Sequence, residues 1–242
     1  MKTFVVNLKK SVERMQKIAI RLDAIGVPFE RVEAVYGRER PSLEKRQNSS
    51  CFWWWCIKGY PMRDGEYGCA MSHLNIYRRM IDENIEIACV LEDDARPRDC
   101  LPSLLKYLEC SMHVESAQVA LIANHRDKKS SLAFSLDPIS SGSFTDGYVI
   151  TLPAARQILC KNFPVRCPSD TWTLWRQKGW IELFQAYPEG VNQEWDTTEG
   201  YVSDVTAAGD TIVDVRKMTK AGRALWRLKR LVGMSIVYLF LR

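Results

Sequence analysis

The feature that most constrains this chain is the run Ala88, Cys89, Val90, Leu91, Glu92, Asp93, Asp94, in which four apolar residues pass directly into three carboxylates. A segment covered on both faces of a sheet reads as continuous apolar residues and admits charge only where it leaves the sheet. The acids therefore stand at the carboxyl end of a strand, the edge at which open α/β sheets bind ligands. Alternation along an extended segment sends Glu92 and Asp94 to one side and Asp93 to the other. Glu92 and Asp94 then form a pair able to share a hard divalent cation through oxygen. A solvated acidic turn capping the next element is the competing reading, and the abrupt join of buried strand and acids favours the cation.

The preceding chain supplies partners for that strand. Residues 3–8 read as a first strand. Ser11 is placed to cap a helix carrying Val12, Met15, Ile18, Leu22 and Ile25 at three- and four-residue steps, and Gly26 ends it. Residues 29–35 resume an extended pattern, a β-α-β opening typical of a parallel sheet. Asn7, at the end of the first strand, and Arg14, one turn into the helix, are candidates to hydrogen-bond and to charge-neutralise a ligand; a turn asparagine and a solvated arginine are the structural alternatives. Residues 36–65 are punctuated by Gly and Pro and read as irregular. Within them Trp53, Trp54 and Trp55 either offer a stacking face for a sugar or plug the loop onto the domain.

A helix from about residue 65 to 83 carries Ala70, Leu74, Tyr77 and Ile81 on one face. Glu66 and His73 bracket its start, where exposed N–H groups suit a phosphate or hydroxyl, and Gly65 and Gly68 let backbone approach a ligand. Beyond the acids, Pro97 and Pro102 frame a helix to about Cys110. Residues 118–123 are a further apolar run, followed by His125 as an extra metal-ligand candidate. Residues 128–143 read as a polar, Ser-rich, mobile stretch. Residues 146–151 form a late strand before a helix opening at Pro153. Asp170, after Pro168, is either a functional acid or a helix N-cap.

Composition matters mainly for the tail. Eight of the 34 basic residues lie from Arg216 onward with no acidic residue among them, leaving 26 against 29 acidic residues, a net of −3, in residues 1–215. This divides the chain into a catalytic-size domain, 1–215, and a basic tail, 216–242. It points to an anionic surface met by one end rather than to a nucleic-acid groove. Met218, Ala221, Leu225, Leu228 and Val232 recur at helical spacing beside Lys217, Lys220, Arg227 and Arg230, the pattern of an interfacial amphipathic helix. The apolar run 231–241 is too short to span a bilayer, which takes about 20 residues. The tail is therefore expected to dock on an anionic membrane, against packing on the body or pairing with another copy. The start of the chain lacks the pattern of a signal peptide, and a cytosolic location follows as an expectation. The eight scattered cysteines then read as reduced thiols. Cys51 and Cys56 have no second close pair to complete a structural zinc site.

Four stretches together resemble glycosyltransferase family 25, the lipooligosaccharide-type sugar transferases that also include collagen galactosyltransferase domains. They are Val6-Asn7-Leu8 with Arg14, the block from Gly65 through Glu66, Gly68, Cys69 and His73 to Leu74, the Leu91-Glu92-Asp93-Asp94 strand end, and Asp170 with Pro188 and Gln193 downstream. The resemblance implies a GT-A-like, Rossmann-type α/β domain with a mostly parallel sheet flanked by helices. It also implies inverting transfer of a hexose, usually galactose, from a UDP-sugar.

On that resemblance Asp94 is the direct ligand of Mn²⁺ or Mg²⁺, with Asp93 and Glu92 on the metal, ribose or donor sugar. Asn7, Arg14 and His73 help bind the donor, and Asp170 is the base, with Glu66 as the alternative. Without a signal segment, a lipid-linked bacterial surface glycan at the inner face of the inner membrane is the expected acceptor. A metal-dependent phosphohydrolase or nucleotidyltransferase, and a non-catalytic membrane-surface adaptor, are the competing classes.

Overall fold

The computed structural model of the protein describes residues 1–123, 133–193 and 219–240. Its strands are β1 (Lys2–Asn7), β2 (Glu30–Glu33), β3 (Ile87–Glu92), β4 (Ala95–Pro97), β5 (Gln118–Leu121), β6 (Ser135–Pro138), β7 (Gly147–Thr151), β8 (Glu182–Tyr187) and β9 (Val191–Gln193). Its helices are α1 (Val12–Ala24), α2 (Ser42–Gln47), α3 (Cys51–Lys58), α4 (Asp64–Asp82), α5 (Leu101–Ser111), α6 (Leu152–Asn162), α7 (Trp172–Gln177) and α8 (Lys220–Phe240). Seven strands form one sheet in the order β2-β1-β3-β7-β5-β8-β6, and β4 pairs with β9 in a separate ribbon. β1, β2, β3, β5 and β8 run one way; β6 and β7 run against them. The architecture is the α/β class with a mostly parallel sheet flanked by helices.

The pleat divides the core in two. Phe4, Val6, Ala88, Val90, Tyr148 and Ile150 face the helices α3, α4, α6 and α7. Val5, Cys89, Leu91 and Val149 face α1 and α5. Residues of one parity on each strand share a face, and burial of both faces explains why β3 and β7 are apolar throughout.

Residues 36–65 hold more structure than their composition suggests. A 3₁₀ turn (Gly37–Glu39), α2 and α3 occupy them. α3 is only eight residues long, too short to be stable alone. It forms because Trp54, Cys56 and Ile57 are buried in the core, while Phe52 and Trp55 stay exposed. The middle tryptophan is thus the plug. Residues 128–143 also depart from expectation, since β6 pairs antiparallel with β8 at the sheet edge; backbone pairing there needs no apolar sequence signal. Ser11 occupies the N-cap position of α1 but makes no side-chain cap. His125 and the boundary at 215/216 lie outside the described residues.

The tail helix α8 lies on α3. A side chain at Gly233 would come within 2.5 Å of the Cys56 carbonyl oxygen, so glycine permits the two backbones to touch. Val237 is fully buried and its carbonyl accepts a hydrogen bond from Lys178 Nζ at 3.1 Å. The stripe read from the sequence as the apolar face points elsewhere: Leu225, Leu228 and Val232 are each more than half exposed. Among the described residues no helix is long and apolar enough to cross a membrane.

Candidate active site

The direction of the strands decides what meets at the site. β1 and β3 are parallel, so Asn7 and Glu92 end at the same edge. β7 runs against β3, pairing Gly147 with Leu91, and therefore begins where β3 ends. Asp146, just before β7, is delivered to the acids, and its carbonyl accepts a hydrogen bond from Glu92 N at 3.1 Å. The loop before β7 is fastened to α7: Trp172 Nε1 donates to Phe144 O at 2.7 Å, and Gly142 N donates to Thr173 Oγ1 at 3.1 Å.

The pleat parity of the core continues into the acids. Glu92, Asp94 and Asp146 bring one carboxylate oxygen each within 4.8 Å of one another. Asp93 is outside that group, although it lines the same pocket. Its Oδ2 accepts from Asn7 Nδ2 at 2.7 Å and its Oδ1 lies 3.5 Å from Arg14 Nη1. Asn7 is itself fixed, donating to Ser11 O at 2.9 Å and accepting from Arg31 Nε at 2.9 Å. Asp93, expected as a metal ligand, is not in that group, whose third carboxylate is Asp146. Sequence reasoning passed over Asp146, although an acid directly preceding an apolar strand mirrors the strand-to-acid join at Glu92.

On the α4 side, buried His73 joins the cluster. Its Nδ1 is 2.7 Å from Tyr148 Oη, which lies 2.9 Å from Tyr77 Oη, and its Nε2 is 3.5 Å from Glu92 Oε1. Thr145 Oγ1 also donates to Glu92. Burial pushes the Glu92 carboxyl up, but the hydrogen bond and charge of His73, the Thr145 bond and the Arg14 charge outweigh it and hold Glu92 below its ordinary value. For Asp146 a backbone hydrogen bond lowers the carboxyl, but burial first, then the Glu92 and Asp94 charges, outweigh it and push it up to about 8. Cys69 lies beside this group, its Sγ 3.0 Å from Ser169 Oγ, and burial followed by the Glu92 charge pushes its thiol up.

The pocket over these groups is lined by Val6, Leu8, Ala34, Tyr36 and Gly37 on the β1–β2 side and by Gly65, Cys69 and His73 on α4, with Arg14 and Arg38 adding positive charge. Its wall depends on close backbone packing. A side chain at Gly37 would fall 1.8 Å from Asp64 O, and one at Gly68 would fall 2.4 Å from Val35 O. Ser72 Oγ ties the same two segments, accepting from Val35 N at 2.8 Å and donating to Gly68 O at 2.6 Å. Gly68 therefore serves helix-to-loop contact, not the close approach to a ligand expected of it.

Glu66 stands apart from the carboxylates. Its oxygens accept from Tyr60 Oη at 2.6 Å and from Arg63 N at 3.0 Å, which caps α4. Asp170 is half-buried, and the N-cap of α7 is Thr171, not Asp170. The Asp170 charge is felt by Asp146, Cys69 and Tyr60, so it lies near the cluster without belonging to it or lining the pocket. Three carboxylate oxygens at one sheet edge form a hard donor set that fits Mn²⁺ or Mg²⁺, and the crowding that raises Asp146 is what a bound dication would relieve.

The sequence profile of glycosyltransferase family 25 (LPS biosynthesis protein) matches residues 1–173, which include both signature blocks and Asp170. The chain belongs to glycosyltransferase family 25. It is 28% identical over 229 residues to a Drosophila melanogaster glycosyltransferase 25 family member, covering 83% of this chain and 37% of the fly protein. It is 27% identical over 172 residues to Xenopus laevis procollagen galactosyltransferase 1-B, covering 64% of this chain and 27% of the frog protein. To Homo sapiens procollagen galactosyltransferase 2 it is 25% identical over 178 residues, covering 66% of this chain and 27% of the human protein. The chain spans about a third of the length of the curated relatives it matches.

Proposed function

We propose that this family 25 chain is a divalent-metal-dependent, inverting hexosyltransferase that moves galactose from UDP-galactose onto a lipooligosaccharide-type glycan. The observation that carries the proposal is the convergence of Glu92, Asp94 and Asp146, two of which, Glu92 and Asp94, line with Asp93 a pocket that has apolar and aromatic walls and two arginines. The names of the animal relatives support galactose, and the family's description supports a surface-glycan acceptor. Leu8, Ala34 and Tyr36 offer packing for a uracil and ribose, while Arg14 and Arg38 offer charge to a diphosphate. Glu92, Asp94 and Asp146 would hold Mn²⁺ or Mg²⁺, which when bound offsets negative charge on the departing UDP. Asp93, braced by Asn7 and Arg14, keeps Arg14 aimed at the pocket. Asp170 takes the proton of the acceptor hydroxyl as its oxygen bonds to the anomeric carbon and the bond to UDP breaks on the opposite face. Product analysis with UDP-hexoses and a soluble glycan acceptor tests this. Glycoside formation lost in Asp94→Asn and in excess chelator, with the fold intact, is expected. Full transfer under either condition, or release of hexose or phosphate with no glycoside formed, would count against it.

The acceptor's membrane enters through α8. Its 21 residues carry five Lys/Arg and no acid, and they expose Leu225, Leu228, Val232 and Leu239 while neighbouring α3 exposes Phe52 and Trp55. An apolar stripe flanked by basic residues complements an anionic lipid surface. On this reading the protein works peripherally at the inner face of a bacterial inner membrane. Sedimentation with anionic against zwitterionic vesicles checks it; equal binding to both would remove the claim.

A further inference from the structure

Beside the carboxylate cluster lies a second donor set of different chemistry. Cys69 Sγ, a His73 ring nitrogen and a Glu92 oxygen fall within 4.8 Å of one another, and all three residues line the pocket, which gives an entering ion a path to them. We propose that Cys69, His73 and Glu92 form a site for a thiophilic divalent cation of the Zn²⁺ class, overlapping the hard-cation site through Glu92.

Three observations support it. First, the 3.5 Å between His73 Nε2 and Glu92 Oε1 is close to the tetrahedral edge of about 3.4 Å set by zinc–nitrogen and zinc–oxygen bond lengths. Second, the other ring nitrogen of His73 is already held: Nδ1 lies 2.7 Å from Tyr148 Oη, and Tyr148 is backed by Tyr77. A ligating histidine is usually fixed in orientation through its second nitrogen, and the Tyr148 contact at Nδ1 holds the His73 ring so that Nε2, which faces Glu92, is the atom an entering ion meets. Third, Cys69 and His73 stand one turn apart on α4, which puts both side chains on the one helix face that meets Glu92. Three protein ligands leave a fourth position open toward the pocket for water.

Binding is a simple exchange. The thiol proton of Cys69 and the Nε2 proton that His73 directs at Glu92 leave to solvent as the sulfur–metal and nitrogen–metal bonds form, with no change in oxidation state. Sulfur and imidazole select Zn²⁺, Co²⁺ or Cd²⁺ over Mg²⁺ and Mn²⁺, whereas the all-oxygen set of Glu92, Asp94 and Asp146 selects the reverse. An ion on Cys69 and His73 draws Glu92 away from Asp94 and Asp146. Zn²⁺ therefore lowers Mn²⁺ affinity, a consequence that rests on the carboxylate site proposed above.

Titration of the metal-free full chain with Co²⁺ tests the site without any sugar turnover, so its failure and that of the transferase reading are separable. A sulfur-to-cobalt charge-transfer band in the near ultraviolet is expected. It should be abolished by Cys69→Ser, weakened by His73→Gln, kept in the control Cys110→Ser/Cys160→Ser, and bleached by Zn²⁺ but not by Mg²⁺. No band in the wild-type chain, or a band that survives Cys69→Ser, overturns the proposal whatever the folding of the variants. For the overlap, Mn²⁺ titration followed by electron paramagnetic resonance with Zn²⁺ present should show affinity reduced by about tenfold or more. Unchanged affinity would overturn the shared role of Glu92.

Discussion

At the scale of the residue, the pleat of three strands assigns the acids. Even-numbered Glu92, Asp94 and Asp146 continue the face of Val90 and Tyr148, and odd-numbered Asp93 continues the face of Leu91 toward Arg14. The variants should separate accordingly. Losing an outer-shell partner of a metal site typically costs about 10–100-fold in affinity, so losing a ligand should cost at least that. Asp146→Asn is expected to weaken Mn²⁺ binding by about tenfold or more, whereas Asp93→Asn should leave it nearly unchanged and raise the KM for the UDP-sugar. Titration followed by electron paramagnetic resonance and steady-state kinetics read the two effects. Tyr148→Phe removes the hydroxyl shared by His73 and Tyr77, both buried. Leaving those groups without that partner should cost about 1–3 kcal/mol in urea unfolding. The alternation of Glu92 and Asp94 against Asp93 was legible in the sequence because period two is local. Asp146 was not, since only the antiparallel pairing of β7 with β3 brings residues 54 positions apart together.

At the scale of the element, α3 and α8 explain each other. α3 is a short aromatic helix with Trp54 fully buried, and α8 covers it through Gly233, Met234 and Val237. Trp54→Ala should therefore destabilise the fold by about 3–5 kcal/mol, measured by denaturant unfolding. Gly233→Leu puts a side chain where the Cys56 backbone lies, so amide exchange in residues 51–58 and 220–240 should accelerate while the β3 amides stay protected. The tail's helicity and its basic, apolar pattern were legible from periodicity. Its docking face was not: the regular stripe through Leu225, Leu228 and Val232 is exposed, and a glycine with no hydrophobic signal makes the contact.

At the scale of the whole molecule, the α3–α8 surface packs on the core that carries the acidic edge of the sheet, so the proposed membrane docking is best probed without dismantling it. Deleting the tail would uncover α3, whereas Leu228→Glu with Val232→Glu changes only exposed positions. That double variant should lose binding to anionic vesicles while its thermal midpoint and its transfer to a soluble acceptor are unchanged; retained vesicle binding would refute the surface. What the sequence determined by itself was local: the strand that ends in acids, the amphipathic helices, the basic tail and the α/β class, all carried by periodicities of two to four residues. What only the tertiary structure decided was which distant groups share an edge, namely Asp146 with Glu92, Asn7 with Asp93, and Gly233 with Cys56. Those neighbours follow from strand direction and backbone proximity, which no short stretch of sequence contains.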